Sequence, residues 1–151
     1  MSADARSGVS QQLQAVVTGL IDLSLAAKQA HWNLVGPNFK AVHEQLDEVV
    51  ETFRAHSDEL AERMITLGTP PDGRVQFVAE STSLEPMPTG KMSDTDALRL
   101  IAARVAAFLK TARDAQGTVA DPDPISEDML ITMIAEVEKH HWMLTSLLQT
   151  A

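Results

Sequence analysis

The sequence contains no cysteine. Disulfides and thiolate metal centres are both excluded, so any bound metal must be held by nitrogen and oxygen. It has no run of about 18 uninterrupted apolar residues, and no segment is expected to span a membrane. Residues Met1 to Ser10 lack the apolar core of a secretory signal, which makes a cytoplasmic protein the expectation. Basic residues are scarce: 12 Lys and Arg stand against 21 Asp and Glu, a formal net charge of −9. Such a chain suits cations better than DNA phosphates or anionic lipid. Repeats, low-complexity tracts and sustained strand alternation are also missing.

What remains is helical periodicity, in four segments. The first runs from about Ser10 to Val35 with Leu13, Val16, Val17, Leu20, Ser24 and Ala27 on one stripe, and Gly36-Pro37 ends it. Residues 1–9 ahead of it are expected to be mobile. The second follows Asn38 as N-cap, covers about Phe39 to Leu67, and stops at Gly68 and Pro70-Pro71. The third opens with Ser93 as N-cap and Asp96 three residues on, and Gly117 ends it. The fourth starts at Asp123-Pro124, with Asp at the N-cap and Pro at the first helical position. The 151 residues make one domain, an all-α four-helix bundle. The connection at 68–92 is too long for a simple turn. It should cross the length of the bundle, leaving the second and third helices parallel, and Val75, Phe77 and Val78 could form a short helix within it.

Two histidines and three carboxylates carry the chemistry: His31, His43, Asp47, Asp58 and Glu62. His43/Asp47 and Asp58/Glu62 are spaced four apart, which places each pair on one helix face. Imidazole nitrogen with carboxylate oxygen suits a redox-active divalent metal such as iron. Asp47 and Asp58 return to the same face within about 20°, yet lie ~16 Å apart along the axis. Metal–ligand bonds are near 2 Å, so one ion cannot touch both pairs in one chain. The two pairs serve different sites unless a second copy lies antiparallel; a two-fold axis near residues 52–53 would then bring His43/Asp47 of one chain beside Asp58/Glu62 of the other. His31, just before the Gly36-Pro37 turn, can face His43, just after it.

The runs Lys28-Gln29-Ala30-His31-Trp32-Asn33-Leu34-Val35-Gly36-Pro37-Asn38-Phe39 and His43-Glu44-Gln45-Leu46-Asp47-Glu48 resemble the Dps family of ferritin-like mini-ferritins. So do Asp58-Glu59-Leu60-Ala61-Glu62-Arg63 and Glu138-Lys139-His140-His141-Trp142-Met143-Leu144. The resemblance covers nearly the whole chain. It implies a ferritin-like bundle, a dodecameric hollow shell, and ferroxidase sites at two-fold interfaces with at most two irons each. Fe(II) would be oxidised, preferentially by hydrogen peroxide, and stored as ferric mineral. His31, His43, Asp47, Asp58 and Glu62 would be the ferroxidase residues, and the resemblance places Trp32 close to them. It also implies mineral nucleation at Glu44 and Glu48, and a pore for iron lined by Asp121, Asp123 and Asp128. DNA-binding members are similar in carrying lysine-rich tails; residues 1–10 hold one Arg and no Lys, so DNA binding is not expected. The competing reading is a nucleoid-associated, DNA-protecting protein whose ferroxidase activity is secondary. Lys28 and Arg63 read as ion-pair partners that fix acids at an interface, and His56 as a packed interfacial histidine.

Overall fold

The computed structural model describes residues 1–149. Its elements, in chain order, are α1 (Ala3–Asn33), β1 (Leu34–Val35), α2 (Phe39–Thr66), α3 (Val75–Ser81), β2 (Met92–Ser93), α4 (Asp94–Val119) and α5 (Pro124–Gln149). The long helices α1, α2, α4 and α5 form the bundle. Helix α1 packs on α2 and α4, α5 packs on the same two, and α2 and α4 lie on a diagonal. Leu13, Leu20, Leu46, Phe53, Ile101, Phe108, Leu130 and Leu144 project from the four helices into one fully buried core. Burying each such side chain contributes about 1.5–3 kcal/mol. Gly19 lets α1 approach α4 closely, because a Cβ there would meet the Phe108 ring at 2.7 Å. Among the described residues, no helix is long and apolar enough to cross a membrane.

The short helix in the crossover is α3, which covers Val75, Phe77 and Val78 as expected. The parallel course of α2 and α4 follows from a small feature that periodicity does not reveal. Strands β1 and β2 pair in parallel, Leu34 with Met92 and Val35 with Ser93. Since α2 starts just after β1 and α4 just after β2, both helices leave the same end of the bundle. The crossover is fastened by the buried Arg104, whose guanidinium donates to the carbonyls of Glu85, Pro86 and Leu100.

Three local expectations need correcting. Helix α1 begins at Ala3, capped by the Ser2 hydroxyl accepting from Ala5 N–H, so most of the segment expected to be mobile is helical. Its first turns present mainly exposed polar side chains, which leave no apolar stripe to read. Asn38 occupies the N-cap position of α2, yet its side chain makes no capping bond. Gly117 does not end α4, which runs on to Val119. The Ser93 cap is as expected, its hydroxyl accepting from Asp96 N–H at 3.0 Å.

Candidate metal centre

The last turns of α1 carry His31 and the first turns of α2 carry His43, so the α1–α2 turn brings the two rings together. They stack with centroids 3.6 Å apart and planes 19° from parallel. Each ring is held by the other helix. His31 Nδ1 donates to the His43 carbonyl at 2.9 Å, and His43 Nδ1 donates to the His31 carbonyl at 3.1 Å. A carbonyl can only accept, so both Nδ1 atoms carry hydrogen, and Nε2 is the nitrogen a neutral ring keeps for a metal. Phe39, one turn before His43, stacks on that ring at 4.9 Å and supports it from the outer side.

Asp47, one turn beyond His43, completes the cluster. One ligand atom from each of His31, His43 and Asp47 lies within 4.8 Å of the others, and no other such group occurs among the described residues. The Lys28 ammonium donates to Asp47 Oδ1, and His31 Nδ1 is 3.5 Å from the same oxygen. The Lys28 hydrogen bond holds the Asp47 carboxyl below the ordinary range; partial burial opposes this, and the histidines add to it. Lys28 therefore fixes one of the expected ligands within its own chain.

Asp58 and Glu62 are not part of this cluster. Both are exposed on α2, further along the helix, with no ion pair to any cation among the described residues. Asp58 lines a cleft of about 440 Å³ with Val17, Ile21, Arg54, Ala61 and Pro71. One chain thus assembles three of the five expected ligands and leaves two facing outward. Large apolar side chains are exposed at several places on α1, β1 and α2: Trp32 is 71% exposed, and Leu25, Val35, Phe39 and Ile65 are also open.

The remaining candidates divide. Glu48 faces a groove of about 350 Å³ between α2 and α5 with Glu51, Thr52, Glu136 and His140, whereas Glu44 pairs with Lys40 at 3.6 Å. His140 is buried and shares a 2.7 Å hydrogen bond with Thr52; burial lowers its pKa despite nearby Glu48 and Glu136. His56 is buried between Glu59 and Glu136, at 3.2 and 2.9 Å, so it closes α2 onto α5 inside the chain rather than at an interface. Asp123 is also internal: its carboxylate accepts two 2.8 Å hydrogen bonds from Arg63 and one from the Ser126 hydroxyl. Burial raises its pKa, but Arg63 and Ser126 outweigh that and hold the carboxyl below its ordinary value. The expectation that Asp123 lines a pore is therefore withdrawn, as is an interfacial role for Arg63. Asp121 and Asp128 are exposed and remain available.

Comparison with known proteins bears on the same residues. A ferritin-like domain model matches residues 10–151. The fine tangled pili major subunit of Haemophilus ducreyi is 38% identical over 136 residues, covering 90% of this chain and 72% of that one. The DNA protection during starvation protein of Mycolicibacterium smegmatis is 33% identical, covering 100% of this chain and 82% of that one. The structure of Dps from Microbacterium arborescens in the high iron form superposes with a TM-score of 0.93 at 34% identity, over 99% of this chain and 97% of that one. The chain belongs to the Dps family of ferritin-like proteins.

In this Dps-family chain, sequence reasoning missed two supports of the metal cluster. Phe39 had a readable signal, since it lies four residues before His43 and so shares its face. Asp94 had none. It starts α4, yet its carboxylate accepts from Asn38 N–H at 2.8 Å, in the turn between the two histidines.

Proposed function

We propose that this protein is a ferroxidase and iron store that detoxifies Fe(II) together with peroxide. Two copies pair antiparallel over the α1–α2 face, so that His31, His43 and Asp47 of one copy meet Asp58 and Glu62 of the other. The observation carrying this reading is the split ligand set. Two imidazoles and one carboxylate gather where α1 ends and α2 begins, while two unpaired carboxylates wait about 16 Å along α2. The exposed Trp32, next in sequence to His31, supplies apolar surface that such pairing would bury.

Iron is the substrate, with at most two ions at each site. Two Fe(II) each give one electron to one hydrogen peroxide; the O–O bond breaks, two protons are taken up and two waters form. Because both electrons come from the same site, no hydroxyl radical needs to leave it. His31, His43, Asp58 and Glu62 hold the first iron, and Asp47 holds the second or orients its water. Oxidised iron passes into a hollow dodecameric shell, where Glu44 and Glu48 nucleate the mineral. Asp121 and Asp128 line the route by which Fe(II) arrives, concentrating cations by their charge.

Relatives are named for DNA protection during starvation. Consumption of Fe(II) and peroxide protects DNA without contact, and a net charge of −9 opposes contact. The test is anaerobic Fe(II) loading followed by a peroxide pulse. Rapid ferric absorbance at two irons per peroxide supports the proposal, and a rate equal to protein-free buffer rejects it. Retardation of plasmid at low salt would favour the nucleoid-associated reading instead.

A further inference from the structure

The two histidines owe their geometry to the register between α1 and α2. Each ring's Nδ1 reaches the other helix's carbonyl, at 2.9 and 3.1 Å. A slip of one residue along either axis is about 1.5 Å, enough to carry both bonds out of hydrogen-bonding range. The turn that sets this register is short: Phe39 N–H donates to the Gly36 carbonyl across it at 3.2 Å, and the Asn38 side chain adds no capping bond.

Asp94 secures it from outside. Its side chain is 5% exposed, and no cation lies within ion-pair distance among the described residues. Instead one carboxylate oxygen accepts from Asn38 N–H and the other from Thr95 N–H, both at 2.8 Å. Capping of α4 is already provided by Ser93, so Asp94 is free to reach across to the turn. Gly36 is its counterpart, with a φ of 147° and no side chain where the carboxylate sits; a Cβ there would lie 2.5 Å from Asp94 Cγ. The β1–β2 pairing holds the adjacent residues in the same register. A buried carboxylate without a counter-cation is costly and is tolerated here through charged hydrogen bonds and the N-terminal end of α4.

We infer that Asp94 is a positioning residue for the metal site: it latches the α1–α2 turn to α4 and so fixes the His31–His43 pair. The inference rests on the proposed metal site. Since a latch that favours metal binding must be favoured by it in return, binding should tighten the latch by the same factor.

The test uses Co(II) with the assembled protein, read by visible absorbance and calorimetry well below the melting temperature. Asp94→Asn retains the shape but loses one acceptor, and should weaken Co(II) binding about tenfold with an altered spectrum, as expected for an outer partner of metal ligands. Gly36→Ala, which displaces the carboxylate from the other side, should do the same. Arg99→Ala, on the exposed face of α4, should bind as the parent does. Unchanged affinity and spectrum in Asp94→Asn would overturn the latch, even if its melting temperature falls. A measurement on the parent needs no variant: Co(II) should slow hydrogen exchange at the Asn38 and Thr95 amides, and no slowing would equally overturn it. A parent that binds no Co(II) rejects the metal site itself, and the latch with it.

Discussion

Lys28 occupies ground that a metal would contest. Its ammonium bonds the Asp47 carboxylate, and its side chain is only 22% exposed. Lys28→Met keeps most of the apolar stem and removes the charge. A divalent ion on Asp47 would sit on the order of 5 Å from the ammonium, where a water-like dielectric gives a repulsion of roughly 1.7 kcal/mol. Screening at physiological ionic strength reduces that to roughly 1 kcal/mol, or about fivefold in affinity. The released Asp47 oxygen acts in the same direction. Lys28→Met should therefore bind Zn(II), a redox-inert probe, about fivefold more tightly at physiological salt, and the gain should grow as salt is lowered. Calorimetry on the assembled protein at two ionic strengths measures both. Equal or weaker binding would refute the reasoning and make Lys28 an orienting partner of Asp47 rather than a competitor of the metal.

Three further outcomes are expected. Asp123→Ala leaves the Arg63 guanidinium unpaired at a site where Asp123 is almost fully buried, and should destabilise the fold by about 3 kcal/mol in denaturant titration. Because the folded carboxyl is held below its ordinary value, that difference should be complete above about pH 3.9 and vanish only as pH falls through the depressed value. Asp121→Asn combined with Asp128→Asn should slow Fe(II) uptake while leaving assembly, read by sedimentation, unchanged; an unaltered uptake rate would count against the iron route. Trp32→Lys should weaken pairing of copies, so that sedimentation at micromolar protein finds smaller species than the parent.

Much of the architecture was legible because it is written in periodic apolar residues: Leu13 to Ala27, Leu98 to Ala112 and Leu130 to Leu148 each mark a buried helix face. The long crossover and α3 were legible from its length and from Val75, Phe77 and Val78. Helix α1's first turns were not, since Asp4, Arg6 and Ser7 are exposed and carry no stripe. At the candidate site, local spacing found His43/Asp47, and the short hairpin turn found His31. Spacing could not show which acid would be spent on structure. Asp123 and Asp121 look alike in sequence, yet only Asp123 is claimed by Arg63, sixty residues away in the chain. The same limit hid Asp94, whose bond to Asn38 spans 56 residues. Contacts of that separation arise from the packing of whole helices, and no local pattern encodes them.

The central claim is that each site is built from two copies, and a mixed assembly tests it directly. His31→Ala and Asp58→Ala should each oxidise Fe(II) no faster than buffer when assembled alone. Co-assembled in equal amounts, half of the pairs are mixed, and each mixed pair keeps one of its two sites intact, so about a quarter of the parent's peroxide-driven rate should return. A mixture no faster than either variant alone, with assembly confirmed, would contradict a site shared between two copies.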